Sequence, residues 1–130
     1  MTVYVFADPG REAIDYLETK TAEYPAGTTV DAWFPTSLAA GTFHIQVAWD
    51  GSPDARQQAE TATIRVTAWG AKGSGGATNA LASLVRKHLL ELASASVWRV
   101  LPGAGRTPGT DPDNGLPFCT FTVSADIRPA

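Results

Sequence analysis

The sequence predicts an α+β fold: a mostly antiparallel sheet of about four strands with two helices packed on one face. Two stretches place apolar residues at helical spacing, and three place them at strict alternation. Their order is helix, strand, strand, helix, short strand, strand, which makes hairpins and a meander where regular βαβ crossovers would make a parallel sheet. The 130 residues form a single domain (1–130), with mobile loops near 50–58, 70–76 and 102–116. An apolar content of 44% with a net charge of only −3 excludes wholesale disorder.

Asp8-Pro9 opens the first helix, the carboxylate capping free amides and the proline standing where its missing N–H costs nothing. Ala13, Ile14, Leu17 and Tyr24 fall near one face of 9–23, which ends before Pro25. Residues 25–41 are loop with one brief strand within 30–34. From Thr42 the period becomes two: Phe43, Ile45, Val47 and Trp49 face one way as core, and His44, Gln46 and Ala48 the other as surface. A second alternation sets Ala62, Ile64, Val66 and Ala68 opposite Thr63, Arg65, Thr67 and Trp69, so the two strands pair as a hairpin with a long tip. Four glycines within 70–76 make a flexible connector. From Thr78, Leu81, Leu84, Val85, His88, Leu89 and Leu92 form the clearest helical stripe in the chain. A short strand over 97–101 precedes the aperiodic Pro/Gly/Asp segment 102–117. Cys119, Phe121, Val123, Ala125 and Ile127 then alternate with polar residues as the closing strand.

The mildly acidic balance gives no electrostatic reason for a nucleic-acid ligand. One cysteine, Cys119, allows no intramolecular disulfide and no thiolate zinc site, so a reducing compartment is expected. The start lacks a basic region before Arg11, and its longest apolar run is 3–7. Neither an export signal nor a membrane span of about 20 apolar residues is expected.

Side-chain catalysis needs groups held within reach of each other. His44 and His88 show no paired metal-ligand spacing, and no Asp/Glu cluster accompanies them, so catalytic, cofactor and metal sites are all expected to be none. His88, on an apolar stripe, reads as a hydrogen-bonded core or interface imidazole, and Cys119 as a small buried hydrophobe. The glycine-rich 70–76 matches neither phosphate-loop pattern. Trp69 stands on an otherwise polar face beside Arg65, as a strand-end accident or a protein contact, and Trp33 and Phe34 pose the same alternatives in a loop. Residues 1–60 hold nine acids and three bases (−6), whereas 61–130 hold four acids and seven bases (+3). Such asymmetry suits a head-to-tail ring in which one subunit's acidic surface meets the next one's basic surface.

The helix segment Glu12-Ala13-Ile14-Asp15-Tyr16-Leu17, the strand Ala62-Thr63-Ile64-Arg65-Val66-Thr67-Ala68-Trp69, the Ala/Leu helix around 81–92 and the closing Leu116-Pro117-Phe118-Cys119-Thr120-Phe121-Thr122-Val123 together carry a resemblance. The whole is similar to the tail terminator proteins of long-tailed, siphovirus-type bacteriophages, particularly those of actinobacterial hosts. Residues 25–41 depart from the commoner family form in being longer and richer in Ala and Thr.

The resemblance implies a non-enzymatic virion protein at the head-proximal end of the tail, made in the host bacterial cytoplasm. It would form a homo-hexameric ring that caps the tail tube, stops polymerisation and offers the head-joining surface. Partners would be its own copies, the major tail tube protein and the head-tail connector, with DNA passing the lumen without specific binding, acidic residues of the first half facing it, and no membrane contact. Trp69, Arg65, Trp33, Asp54, Arg56 and Arg106 are the candidate interface residues, with loop 50–58 and segment 102–116 touching neighbours or the tube. A head-completion or neck protein is the alternative. A small enzymatic or ligand-binding domain using His88 and Cys119 is the reading from another class.

Overall fold

A computed structural model of the chain describes residues 9–50, 60–92 and 97–127. Its elements are α1 (Pro9–Glu18), a 3₁₀ turn (Thr21–Glu23), β1 (Thr29–Asp31), β2 (Phe43–Asp50), β3 (Glu60–Gly70), α2 (Gly75–Leu90), β4 (Val97–Pro102), β5 (Thr107–Thr110) and β6 (Pro117–Ile127). The α+β class and the two helices are as expected. The sheet, however, is larger than four strands and mixed: β1-β2-β3-β6-β4, with β5 also on β6.

Two features account for that correction. β1 runs parallel to β2, because residues 32–42 carry the chain back to the start of the sheet, as a parallel pair requires. β5, Thr107-Pro108-Gly109-Thr110, has no period and no β-forming residue besides threonine; it is a strand only because β6 supplies its partner. β4 and β5 follow one another along the same side of β6. Between them the Gly103 N–H donates to the Thr122 carbonyl (3.0 Å), the Thr122 N–H to the Ala104 carbonyl (3.2 Å) and the Ala104 N–H to Thr122 Oγ1 (2.7 Å).

The helices also shift against expectation. α1 stops at Glu18, where the Thr19 hydroxyl and N–H both turn onto the Tyr16 carbonyl at 2.6 and 3.0 Å and tighten the chain toward the 3₁₀ turn. Its expected cap, Asp8, lies outside the described residues, as does loop 51–59. α2 begins three residues before Thr78. Of the glycine-rich 70–76, only 71–74 lie outside regular structure, in a turn closed by Ser74 on the Ala71 carbonyl (N–H 3.1 Å, Oγ 2.6 Å). A side chain at Gly70 would collide with Thr78 Oγ1 and Ser74 Oγ, so this connector is packed. Gly73 there takes φ +86°, which an L side chain rarely adopts.

α1 packs on β1, β2 and β3, and α2 on β3, β6 and β4, side by side on one face. Ile14 and Leu17 from α1 and Leu81, Val85 and Leu89 from α2 meet Ile45, Val47, Ile64, Val66, Phe121 and Val123 in one continuous core. Trp49, expected in that core, is 38% exposed. At the end of β2 it overlies Gly10 in the first turn of α1, where a Cβ would enter the indole.

Candidate functional site

The sheet face opposite the helices alternates out of the same strands, and registry arranges it in rows. At one end stand His44, Trp69, Phe118 and Gly109; next come Gln46, Thr67, Thr120 and Thr107; then Ala48, Arg65 and Thr122; then Thr63, Ser124 and Leu101. The first row is covered. His44, expected at the surface, is fully buried: Trp33 stacks on its imidazole with centroids 3.7 Å apart and planes 16° from parallel. His44 Nε2 donates to the Trp33 carbonyl (2.7 Å), so Nδ1 of the neutral ring accepts from the Thr29 hydroxyl (2.6 Å). Burial pushes this imidazole below its ordinary range, partly opposed by the Trp33 carbonyl and by nearby Asp31. Trp69 is also buried, its Nε1–H donating to Gln46 Oε1 (3.0 Å) and its ring tilted against Phe118 at 5.3 Å.

Beyond the first row the face is open and hydroxyl-rich. Arg65 is exposed there, beside a small hollow lined by Ala48, Trp49 and Thr63. Further along, Arg99 on β4 meets Asp126 on β6 (2.7 and 2.8 Å), and Asp126 accepts from Thr61 on β3 (2.9 Å), tying three strands together. The Arg99 hydrogen bond holds the Asp126 carboxyl below the usual range.

The two ends of the strand order differ in character. At the β1 end a hollow of about 460 Å³ is lined by Glu18, Thr21, Thr28, Asp31 and Trp33. Trp33 is 51% and Phe34 57% exposed. At the β4–β5 end Leu101 is 42% exposed, and Arg106 donates to Ser83 Oγ and, at 3.5 Å, to the Asn79 carbonyl, both on α2. No described strand pairs with the outer side of β1 or β4.

His88 and Cys119 are buried on the helix side. A carboxylate only accepts, so in the neutral ring His88 Nε2 donates to Glu23 (3.3 Å) and Nδ1 accepts from the Tyr24 hydroxyl (2.6 Å). Burial, helped by Glu23, pushes the Tyr24 phenol above its ordinary value. Burial likewise pushes the Cys119 thiol up, with Arg106 opposing. Among the described residues no three His, Cys, Asp or Glu side chains cluster to hold a metal, and no helix is long and apolar enough to cross a membrane.

Of the residues singled out from sequence, Trp69 stands on the polar face as expected but is buried within the chain, because that end of the face is capped by the chain itself. Trp33, Arg65 and Arg106 are exposed, each in a different place, and Asp54 and Arg56 lie outside the described residues. Sequence reasoning missed His44 as an anchor, Leu101 as an exposed edge residue, and the pairing of Glu18 with Asp31 around one hollow. Only Trp33-Phe34-Pro35 carried a signal, as bulky aromatics in a loop. A scan against protein-family models and a search of curated proteins find no match for the chain.

Proposed function

We propose that the chain is a structural virion protein, a tail terminator. Six copies form a ring on the finished tail tube, stop its polymerisation and offer the surface to which the head connector joins, while DNA passes the lumen without specific binding. The observation that supports this reading is an open, hydroxyl-lined sheet face whose outer strands β1 and β4 pair with no further described strand, with the large apolar side chains Trp33, Phe34 and Leu101 exposed around it. Exposed apolar groups beside an open sheet face favour contacts with further protein chains. The two reactive groups available to the enzymatic alternative are 3% (His88) and 1% (Cys119) exposed, and the His88 ring is already engaged by Tyr24 and Glu23, which fits a packing role.

The test adds the purified chain to polymerising major tail tube protein. Expected are shorter tubes carrying a ring at one end in negatively stained micrographs, and a six-copy mass under native conditions. Tube lengths unchanged at a molar excess of the chain overturn the proposal.

A further inference from the structure

Among the described residues a single buried side-chain nitrogen or oxygen has no hydrogen-bond partner: Nε of Arg86, on α2. A donor that has lost water without gaining an acceptor is costly, and such donors are rare in folded chains. Its surroundings add to the demand. Asn79, Ser83 and Arg86 are four and three residues apart, so they share one flank of α2. Arg106, from the segment between β4 and β5, lies on that flank, donating to Ser83 Oγ and, at 3.5 Å, to the Asn79 carbonyl. Helical side chains lean toward the helix N-terminus, which carries Arg86 over the turn that holds Ser83. Two guanidiniums therefore stand over adjoining turns, and the Ser83 hydroxyl already donates to the Asn79 carbonyl (3.2 Å).

The carboxylates that could answer these charges are engaged or turned elsewhere. Glu91 is five residues beyond Arg86, about 140° round the helix. Asp111 and Asp113 belong to the turn after β5, where Asp111 Oδ1 accepts from the Asp113 and Asn114 N–H groups (2.8 and 3.3 Å). Asp126 is bonded to Arg99. Neither guanidinium is ion-paired with a described carboxylate.

We propose that Arg86 and Arg106 bind a phosphate group on this flank of α2, beside the segment that precedes β5. A carboxylate is satisfied by one guanidinium fork. Two guanidiniums match the double charge and the several terminal oxygens of a phosphate, and a bridging dianion removes the repulsion between them. The Arg86 Nε–H supplies a bond for which solvent does not compete, because the atom is already shielded from water. Inorganic phosphate and the backbone of DNA present the same group. The site needs only one copy of the chain, so it stands apart from the ring reading.

Melting temperatures of the purified chain in chloride and in inorganic phosphate, at equal ionic strength, test it. Phosphate is expected to raise the wild-type value and to saturate, because a ligand that binds only the folded state stabilises it by mass action. Arg86→Met and Arg106→Gln are each expected to weaken phosphate binding at least about tenfold. In chloride, Arg86→Met is expected to melt no lower than wild type, since it removes a buried donor that has no acceptor. A lower value makes Arg86 a packing residue and overturns its role. Lys87→Gln, which removes an exposed charge next to Arg86, is expected to keep the phosphate effect. Loss of the effect in that variant, or an acetate effect as large as that of phosphate, assigns the rise to general charge and overturns the site. A wild type with no saturable rise overturns the proposal outright, and tube shortening, read separately, is then untouched. Duplex DNA that binds with the same dependence on both arginines supports a nucleic-acid backbone as the source of the group; duplex DNA that does not supports free phosphate.

Discussion

Protonating His44 puts a charge where burial has removed water, and that cost falls on the folded state alone. Because its folded pKa lies below the unfolded 6.5, the unfolded chain binds more protons as pH drops, so this residue's contribution is intact above about pH 6.5 and is lost as pH falls from there toward the lowered folded value. Urea midpoints measured between pH 7.5 and 5 are expected to decline with acid in the wild type and to decline less in His44→Gln. Equal slopes would show that His44 is not the group responsible. The same ring sets the Trp33 indole, so a residue that strand periodicity assigns to solvent instead anchors the loop over the sheet's first row. Alternation reports which side of the strand His44 is on, and it does so correctly; whether that side is covered depends on residues 11 and 15 positions away.

At the scale of elements, the 3₁₀ turn is tied to α2 by Tyr24 and Glu23 on His88, across 64 residues between the tyrosine and the ring. Tyr24→Phe keeps the ring packed but leaves the buried Nδ1 without a donor, a loss expected to cost about 1–2 kcal/mol in denaturant unfolding. A change below about 0.3 kcal/mol would mean that water replaces the phenol at no cost. The helical stripe of α2 was legible because Leu81, Val85 and Leu89 recur every turn. β5 was not, because Pro108 and Gly109 carry no preference for a strand and become one only beside residues 117–120 of β6. The start of α2 was obscured for a similar reason: Gly75 and Gly76 are poor helix formers on their own, and the packed turn at Gly70 brings them into the helix.

For the whole molecule, assembly into the proposed ring is expected to be sensitive to salt wherever charged side chains lead the contact. The Debye length shrinks from about 10 Å at 0.1 M to about 3 Å at 1 M, so a contact led by charge is expected to weaken several-fold over that range. Sedimentation of the wild type at both ionic strengths checks this. Association that strengthens with salt would assign the contact to Trp33, Phe34 and Leu101 instead, since burial of apolar groups does not weaken with added salt.

Apolar periodicity was enough to identify both helices and the three long strands. It is a property of neighbouring residues, and backbone geometry converts it directly into faces. Tertiary structure alone decided that β1 joins in parallel, that His44 and Trp69 are interior, and that Trp49 protrudes over Gly10. Each of those outcomes depends on what covers or pairs with a residue from far along the chain, and local spacing carries no record of such a partner.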